Sequence, residues 1–427
     1  MTDSRESLLI YKVAHVTVHL GGGIGSVLMN WIDTDKINKH KIFCLNNNYY
    51  SSYDKELVKE NLRNNKEELF KGMDESDIVV VHYWNHPYLF EYLLYPDLPK
   101  CRMCIWSHVS GLRATYVFPK KLIDFCDRLI FSSPISYKAD NIRNLKDNNK
   151  LGHIWTTGNI DKYLDVKPIP HEGFNIGFVG TLDYSKLHPN FIDFCSKIDI
   201  PDVKFIMCGG GCDLQKIKQQ VKERGLESKF VFTGVIDDVR PYLAIIDVFG
   251  YPLNPDHFGT CEQVLGEAIA AGIIPIVMKN PAEEYILFQS LVKFICHDEE
   301  EYIHNIKLLY RDRHKRESIV NLIKDHVTKL YDSGNMVRAW NKIFDSLSEK
   351  QNHKWEMDQD KDRSKGYNIY MESLGEYGKI LEQGSVTKIL DLFNSNLQWR
   401  SSSKGSPRQY LDAFPDDKNL KELVNLL

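Results

Sequence analysis

Between Phe174 and Pro281, short apolar runs alternate with helix-like stretches, and this alternation restricts the chain to a parallel sheet with helices packed on its faces. The runs are FNIGFVG, KFIMCGGGCDL, KFVFTGV and IIPIVM, and the helical CEQVLGEAIAAG leads into the last of them. They lack the polar alternation of a half-exposed strand, as strands buried on both faces do. In a doubly wound sheet, ligands bind outside the carboxyl ends of the strands. Glycines, one lysine and two glutamates fall at those ends here: Gly180, Lys186, Glu262 and Glu267 among them.

The first half has the same rhythm. KVAHVTVHL, DIVVVHYW, CRMCIWSHV and DRLIFSS read as strands, GGGIGSVLMNWI as a glycine loop feeding a helix, and HIWTTGNI as a short strand ending in a turn. The stretch Asp165–Gly173, DVKPIPHEG, breaks the pattern with two prolines and a glycine and reads as a linker. The expected organisation is a first α/β domain over 1–165 and a second over 166–350, closed by the helix NMVRAWNKIFDSLSEK. Residues 351–427 follow as a charged link, QNHKWEMDQDKDRSKG, and a helical appendage with apolar spacing at Ile380, Leu381, Val386, Ile389, Leu390 and Leu392. No fixed-period repeat runs through the chain.

A length of 427 residues exceeds what one core normally holds. The net charge of −4 gives no electrostatic case for nucleic acid. No apolar run is long enough to span a membrane, and the polar start MTDSRES has no apolar signal core behind it, so the expected location is cytoplasmic. The nine cysteines, Cys44, Cys208 and Cys296 among them in strand-like surroundings, read as reduced thiols. Cys101 and Cys104 form a lone C-x-x-C, and Cys208 and Cys212 flank three glycines. A structural zinc site needs four ligands and no matching second pair exists, so no metal is expected.

Several short signals fall in one order. Gly180-Thr181-Leu182 is followed by Lys186; then come the strand with three glycines, the strand with F-x-G, Phe258-Gly259, and E-A-x-A-x-G beginning at Glu267. Each is weak alone. In this order and spacing, the second half resembles the glycosyl transferases group 1, the large retaining family 4. The resemblance is best over Phe174 to Pro281, weaker over the first domain and absent from the appendage. It implies an α/β fold of two Rossmann-like doubly wound domains facing across a cleft (GT-B), here with a helical C-terminal appendage.

The resemblance also implies roles. Lys186 keeps the position of a lysine that holds the donor diphosphate, and it would neutralise charge growing on the leaving group. Thr181 stands where the family usually has an arginine and offers only a hydroxyl. Read without the resemblance, Lys186 is an ordinary exposed lysine. Glu267 matches a glutamate assigned to the ribose hydroxyls, which one carboxylate can accept together. The family's first glutamate is unmatched: Asp256 precedes Phe258-Gly259, and Glu262 lies in an insertion. Thr260, Cys261 and Glu262 would present backbone N–H groups at a helix start, completing the donor set with Gly180, Phe258 and Gly259. A first-turn carboxylate at Glu262 is equally explained by helix charge complementarity.

In the first domain, Gly22 and Gly23 of the loop Gly21–Gly25 would let backbone amides approach donor or acceptor. A dinucleotide fingerprint is excluded, because the third glycine is missing and the next strand, KIFCLNN, ends in asparagines. His108, just past a strand end, matches a histidine the family places beside the reacting sugar; the competing reading is a satisfied structural histidine. His82 is a weaker case of the same kind. Asp237-Asp238 reads as a solvated turn and not as a metal pair.

The expected activity is transfer of a sugar from a nucleotide diphosphate sugar, UDP- or GDP-linked, to a hydroxyl acceptor, retaining and metal-independent, with His108, Lys186 and Glu267 as catalytic residues and no cofactor. The acceptor class, whether glycan, lipid-linked or small molecule, stays open. Two other functions fit the same fold: a non-catalytic GT-B partner subunit of a glycosylation complex, and a nucleotide-sugar epimerase. The appendage mixes Trp399, Tyr410 and Phe414 with Arg400, Lys404 and Arg408, which suits a protein contact such as a homo-oligomer, an acceptor-side surface, or a helical clamp on the core.

Overall fold

The computed structural model describes residues 9–48, 53–94, 97–145, 148–287, 292–355, 365–396, 399 and 405–427. The chain forms two compact units: residues 1–158 with 333–427, and residues 159–332.

The first unit is built on seven parallel strands: β1 (Lys12–Thr17), β2 (Lys39–Cys44), β3 (Val58–Lys59), β4 (Ile78–Tyr83), β5 (Met103–Ser107), β6 (Arg128–Phe131) and β7 (Leu151–His153). Their order in space is β3-β2-β1-β4-β5-β6-β7, so the direction of winding reverses between β1 and β4. Helices cover both faces, and every residue of β4 and β5 is buried, which is why those segments read as unbroken apolar runs. Gly25 is fixed by packing: a Cβ there would overlap the Leu20 carbonyl oxygen.

The second unit repeats the plan with six parallel strands: β8 (Phe174–Val179), β9 (Val203–Cys208), β10 (Phe230–Gly234), β11 (Val248–Tyr251), β12 (Ile274–Met278) and β13 (Ile295–Cys296). The order β10-β9-β8-β11-β12-β13 reverses between β8 and β11. Both sheets are therefore doubly wound, as expected for two Rossmann-like halves.

The domain limits differ from the expected ones. The boundary falls at 158/159 and not at 165, and the helix Ser333–Ser348, expected to close the second domain, belongs to the first unit. The reason is its apolar face. Met336, Val337, Trp340, Phe344 and Leu347 are buried in a cluster with Tyr11, Val13, Trp31 and Trp106, and the rings of Trp340 and Trp31 stack 4.7 Å apart. The start of the charged link is docked too: His353 bridges to Cys101, and the Trp355 indole N–H donates to the Cys101 carbonyl. Much of that link, with Arg400 and Lys404 of the appendage, lies outside the described residues.

The appendage packs on the first sheet's surroundings. Tyr410 and Trp399 are buried, Tyr410 lies edge-on to Tyr370, and Val117 N–H donates to the Ser373 carbonyl. One part of the expected apolar pattern is left uncovered: Val386 is 56% exposed, and burial in its helix passes to Phe393. The helices Lys365–Ser373 and Glu376–Gln383, with the 111–120 loop and residues 138–141, line an open cavity of about 730 Å³ within this unit. No helix among the described residues is long and apolar enough to cross a membrane.

Candidate active site

In the second unit the chain leaves β8 at Gly180, whose φ of +153° lies in a region that side chains rarely adopt. Two glycine-rich loops meet here backbone to backbone. Gly180 N–H donates to the Cys208 carbonyl, and Leu182 N–H to Gly210. A Cβ at Gly209 would overlap the Gly180 carbonyl oxygen, and one at Gly211 would overlap that of Leu182. Gly209 and Gly211, two of the three glycines after β9, thus serve the closeness of the two loops. The half-buried Thr181 follows Gly180, and Asp183 caps the next turn by accepting from Ser185.

That turn delivers Lys186. Its carbonyl accepts from Asn254 N–H, and Asn254 Nδ2 donates to the Tyr184 carbonyl, so the loop after β11 pins the lysine backbone. The Lys186 ammonium lies 3.5 Å from Glu262 Oε2 and 5.4 Å from the centre of the Tyr251 ring. Lys186 is therefore a half-buried, paired cation and not a solvated surface lysine.

Glu262 is the hub. It precedes the helix Gln263–Ala270 as its N-cap residue, yet its side chain makes no capping bond. Instead it is buried: Tyr251 hydroxyl donates to Oε2 at 2.7 Å, and His257 Nε2 faces Oε1 at 2.9 Å. His257 Nδ1 faces the Ser185 carbonyl at 3.2 Å, so both ring nitrogens point at acceptors. Burial alone would raise the Glu262 pKa, but the Lys186 and His257 charges and the two hydrogen bonds hold it well below the ordinary carboxylate range. The side chain is thus turned into this cluster, and first-turn charge complementarity, the alternative to a donor-binding role, does not account for its placement. Gly259 is required by this arrangement, because a Cβ there would overlap Glu262 Oε1.

The N–H groups expected from Thr260, Cys261 and Glu262 precede the helix and are not part of it. Thr260 and Cys261 are buried, the Cys261 carbonyl accepts from Tyr331 hydroxyl at 2.6 Å, and Phe258 packs beside the His257 ring. Glu267 sits one turn along that helix, hydrogen-bonded by Tyr163. Burial raises its pKa against the opposing effects of Lys162, the Tyr163 bond and Lys186. Asp238 pairs with Arg240 at the surface, which fits the turn reading.

Glu283 was not anticipated. It lies in the helix Pro281–Ile286, is fully buried, and neither carboxyl oxygen has a hydrogen-bond partner among the described residues. Burial, then the neighbouring Glu262 charge, push its pKa well above the ordinary range, with Lys186 opposing. Tyr251, His257 and Tyr163 were also missed, although NPAEEYI carried Glu283, and YPLNPDHFGT carried Tyr251 and His257, in plain view.

The remaining expected residues lie in the first unit and are not part of this cluster. Gly22 and Gly23 are exposed, but they open the helix Gly22–Thr34 and do not form a loop before it. His108 stands one residue past β5 with its Nε2 3.0 Å from His82 Nδ1. Among the described residues no group of three His, Cys, Asp or Glu side chains could hold a metal ion. Cys101 and Cys104 are buried thiols whose pKa values burial raises, that of Cys101 to about 12.

Comparison with known proteins follows this division. Residues 159–326 match the family model described as Glycosyl transferases group 1. A curated relative, a 2-deoxystreptamine N-acetyl-D-glucosaminyltransferase from Niallia circulans, is 31% identical over 107 residues, a stretch covering 24% of this chain and 26% of the relative. Among solved structures, Anabaena Alr3699/HepE in complex with UDP-glucose aligns over 79% of this chain and 100% of its own, at 15% identity and a TM-score of 0.64. Sucrose-phosphate synthase from Thermosynechococcus elongatus aligns over 79% of this chain and 98% of its own, at 14% identity and a TM-score of 0.63. The fold shared with these structures is the GT-B fold.

Proposed function

We propose that this chain, whose residues 159–326 form a group 1 glycosyltransferase domain, transfers a sugar from a nucleoside diphosphate sugar to a hydroxyl acceptor. The observation that carries this reading is Lys186. It is a cation pinned at the carboxyl end of β8, beside the β8/β11 reversal point where such sheets bind ligands. Its charge is balanced in the free protein by Glu262, and a diphosphate offers it stronger, charge-assisted hydrogen bonds. Gly180 leaves the approach over Lys186 open, since a side chain at that position would lie against the lysine's outer carbons and ammonium. The complex of HepE with UDP-glucose supports a nucleotide-linked donor.

In this mechanism Lys186 stabilises the departing diphosphate and Glu267 takes the ribose hydroxyls. Transfer proceeds with retention and without a metal ion. The test is nucleotide release from a panel of UDP-, GDP- and ADP-sugars, with and without acceptors, followed by NMR of the product's anomeric configuration. Lys186→Ala and Glu267→Ala each lower transfer by at least ~10²-fold, the scale of a lost charged transition-state contact. Normal transfer by a folded Lys186→Ala protein places the diphosphate elsewhere, and complete loss of activity in EDTA, restored by magnesium, refutes the metal-free mechanism.

One observation favours a second reading. Thr181 supplies no cation where the family usually has arginine, as a non-catalytic partner subunit would tolerate. Binding of a nucleotide sugar without release of nucleotide under any acceptor condition selects that reading.

A further inference from the structure

The partners of Glu262 in the second unit are not equal. Tyr251 hydroxyl donates to Oε2 at 2.7 Å and His257 Nε2 lies 2.9 Å from Oε1, whereas the Lys186 ammonium stands off at 3.5 Å. Each carboxyl oxygen thus has a close partner besides the lysine. Lys186 is the partner that Glu262 can lose.

His257 is held in this place by its loop. After β11 the chain turns at Asn254, whose carbonyl accepts from His257 N–H and whose side-chain oxygen accepts from Asp256 N–H. The same asparagine holds the turn after β8, donating its N–H to the Lys186 carbonyl and Nδ2 to that of Tyr184. Asn254 therefore fixes the backbone at Lys186 and at His257 together. The His257 side chain is only 4% exposed. Gly259 leaves room for its contact with Glu262, since a Cβ there would overlap His257 Nε2 as well as Glu262 Oε1.

The two neighbours of the ring decide its charge. Nε2 faces Glu262 Oε1, and Nδ1 faces the Ser185 carbonyl at 3.2 Å. A carbonyl oxygen only accepts, and so does an ionised carboxylate. Glu262 is ionised, because Tyr251 donates to its other oxygen and the Lys186 ammonium stands beside it. A neutral imidazole would satisfy one of these acceptors and turn a bare lone pair on the other. Both are satisfied only when both ring nitrogens carry protons.

That charge matters because of what surrounds Lys186. Burial raises the pKa of Glu262, Glu267 and Glu283, and Lys186 opposes it at all of them, so one lysine lies in reach of several carboxyls. Thr181, at the turn after β8, adds no cation. Beside a neutral His257, Glu262 would depend on Lys186 for its counter-charge. Drawing the lysine toward a ligand would then strand a buried carboxylate, which is strongly unfavourable. Beside an imidazolium it does not.

We propose that His257 is a fixed imidazolium counter-ion for Glu262, and that it frees Lys186 to bind the diphosphate of a nucleotide. It supplies, from behind Glu262, the second positive charge that Thr181 does not. Both of its nitrogens are taken up by protein acceptors, so His257 is a positioning residue that acts through Glu262 and Lys186. The role is one of binding and is confined to the second unit. That the anion is a diphosphate rests on the transferase reading; the charge of the ring does not.

The ring charge is read by imidazole nitrogen NMR on the full chain labelled at histidine, at about pH 7.5, where an unperturbed histidine is mostly neutral. The His257 signals, identified by their loss in His257→Gln, are those of a ring protonated on both nitrogens. A bare nitrogen overturns the proposal without need of a folded variant. Binding is measured by calorimetry with UDP, GDP and ADP, and with the matching nucleosides, which lack the diphosphate. His257→Gln puts an uncharged amide in place of the ring. Affinity for the nucleotide that binds the wild type falls ~10-fold or more, while affinity for its nucleoside stays within ~2-fold. Introduced into a Glu262→Gln chain, where Lys186 has no carboxylate to serve, the same change alters nucleotide affinity by less than ~2-fold, as expected of groups coupled in one ion-pair network. Equal losses in both backgrounds, or equal losses for nucleotide and nucleoside, mark a merely structural histidine and overturn the proposal. A wild-type chain that binds none of the nucleotides refutes the transferase reading instead, and the nitrogen signals then decide the charge of His257 alone.

Discussion

Glu262 and Glu283 are buried carboxyls in one unit that interact with each other, and their surroundings drive them in opposite directions. Glu262 is held ionised by Lys186 and His257, so it binds fewer protons folded than unfolded. Its contribution to stability is full above its ordinary value of 4.5 and is lost as pH falls through the lower folded value. Glu262→Gln leaves Lys186 and His257 without their anion, and we expect a loss of about 3 kcal/mol at neutral pH with a flatter decline of stability in acid. Urea midpoints across the acid range check both parts, and an undiminished acid slope contradicts the assignment. Glu283 has the reverse sign. Its raised pKa contributes stability below 4.5, and that contribution fades as pH rises toward the folded value. Glu283→Gln should match the wild type near about pH 4 and exceed it in stability at about pH 8; equal stability at both indicates an ionised Glu283 with partners. The sequence made Lys186, Glu262 and Glu267 legible through spacing and residue type. It could not disclose His257, Tyr251 or Glu283, since they meet Glu262 only when the end of β11 and the helix at Pro281 close around it.

At the scale of elements, strands were legible and allegiance was not. The apolar runs marked β1, β4, β5, β6, β8, β9 and β12 because strands buried on both faces need no polar alternation. The helix Ser333–Ser348 was equally visible from its spacing, but an apolar stripe does not say which sheet receives it. The tryptophans decide: Trp340 stacks on Trp31 and meets Trp106 edge-on at 5.0 Å. Trp340→Ala should cost about 3–5 kcal/mol, the usual penalty for emptying a buried indole site. The loss should appear in unfolding of the first unit, with nucleotide binding by the second unaltered. Equal destabilisation of nucleotide binding would mean the helix supports the second unit. The contacts of His15 with His40 and His82, and of His82 with His108, were hidden for a related reason: strand register creates them, and nothing in the intervals between positions 15, 40, 82 and 108 records which rings share a face.

For the molecule as a whole, the second unit is continuous in sequence and the first is not. Residues 333–427 return to complete the unit begun by 1–158, so both ends of the chain belong to it. The appendage is part of that completion. Gly366 lies where a Cβ would press on Phe414 and Leu420, Arg63 donates to the Asp412 carbonyl, and Tyr410 hydroxyl reaches the Asn85 carbonyl. Trp399 and Tyr410, which the sequence left open between a partner contact and a clamp, are 2% and 0% exposed. Such rings bury too much apolar area to be waiting for a partner. Removing residues 365–427 should therefore lower the melting temperature of the first unit and expose apolar surface that binds a hydrophobic dye. It should also open the cavity beside the 111–120 loop, while the nucleotide affinity proposed for the second unit is unchanged. A truncated chain with unchanged melting but altered oligomeric state would assign the appendage to assembly, through the half-covered face that carries Val386.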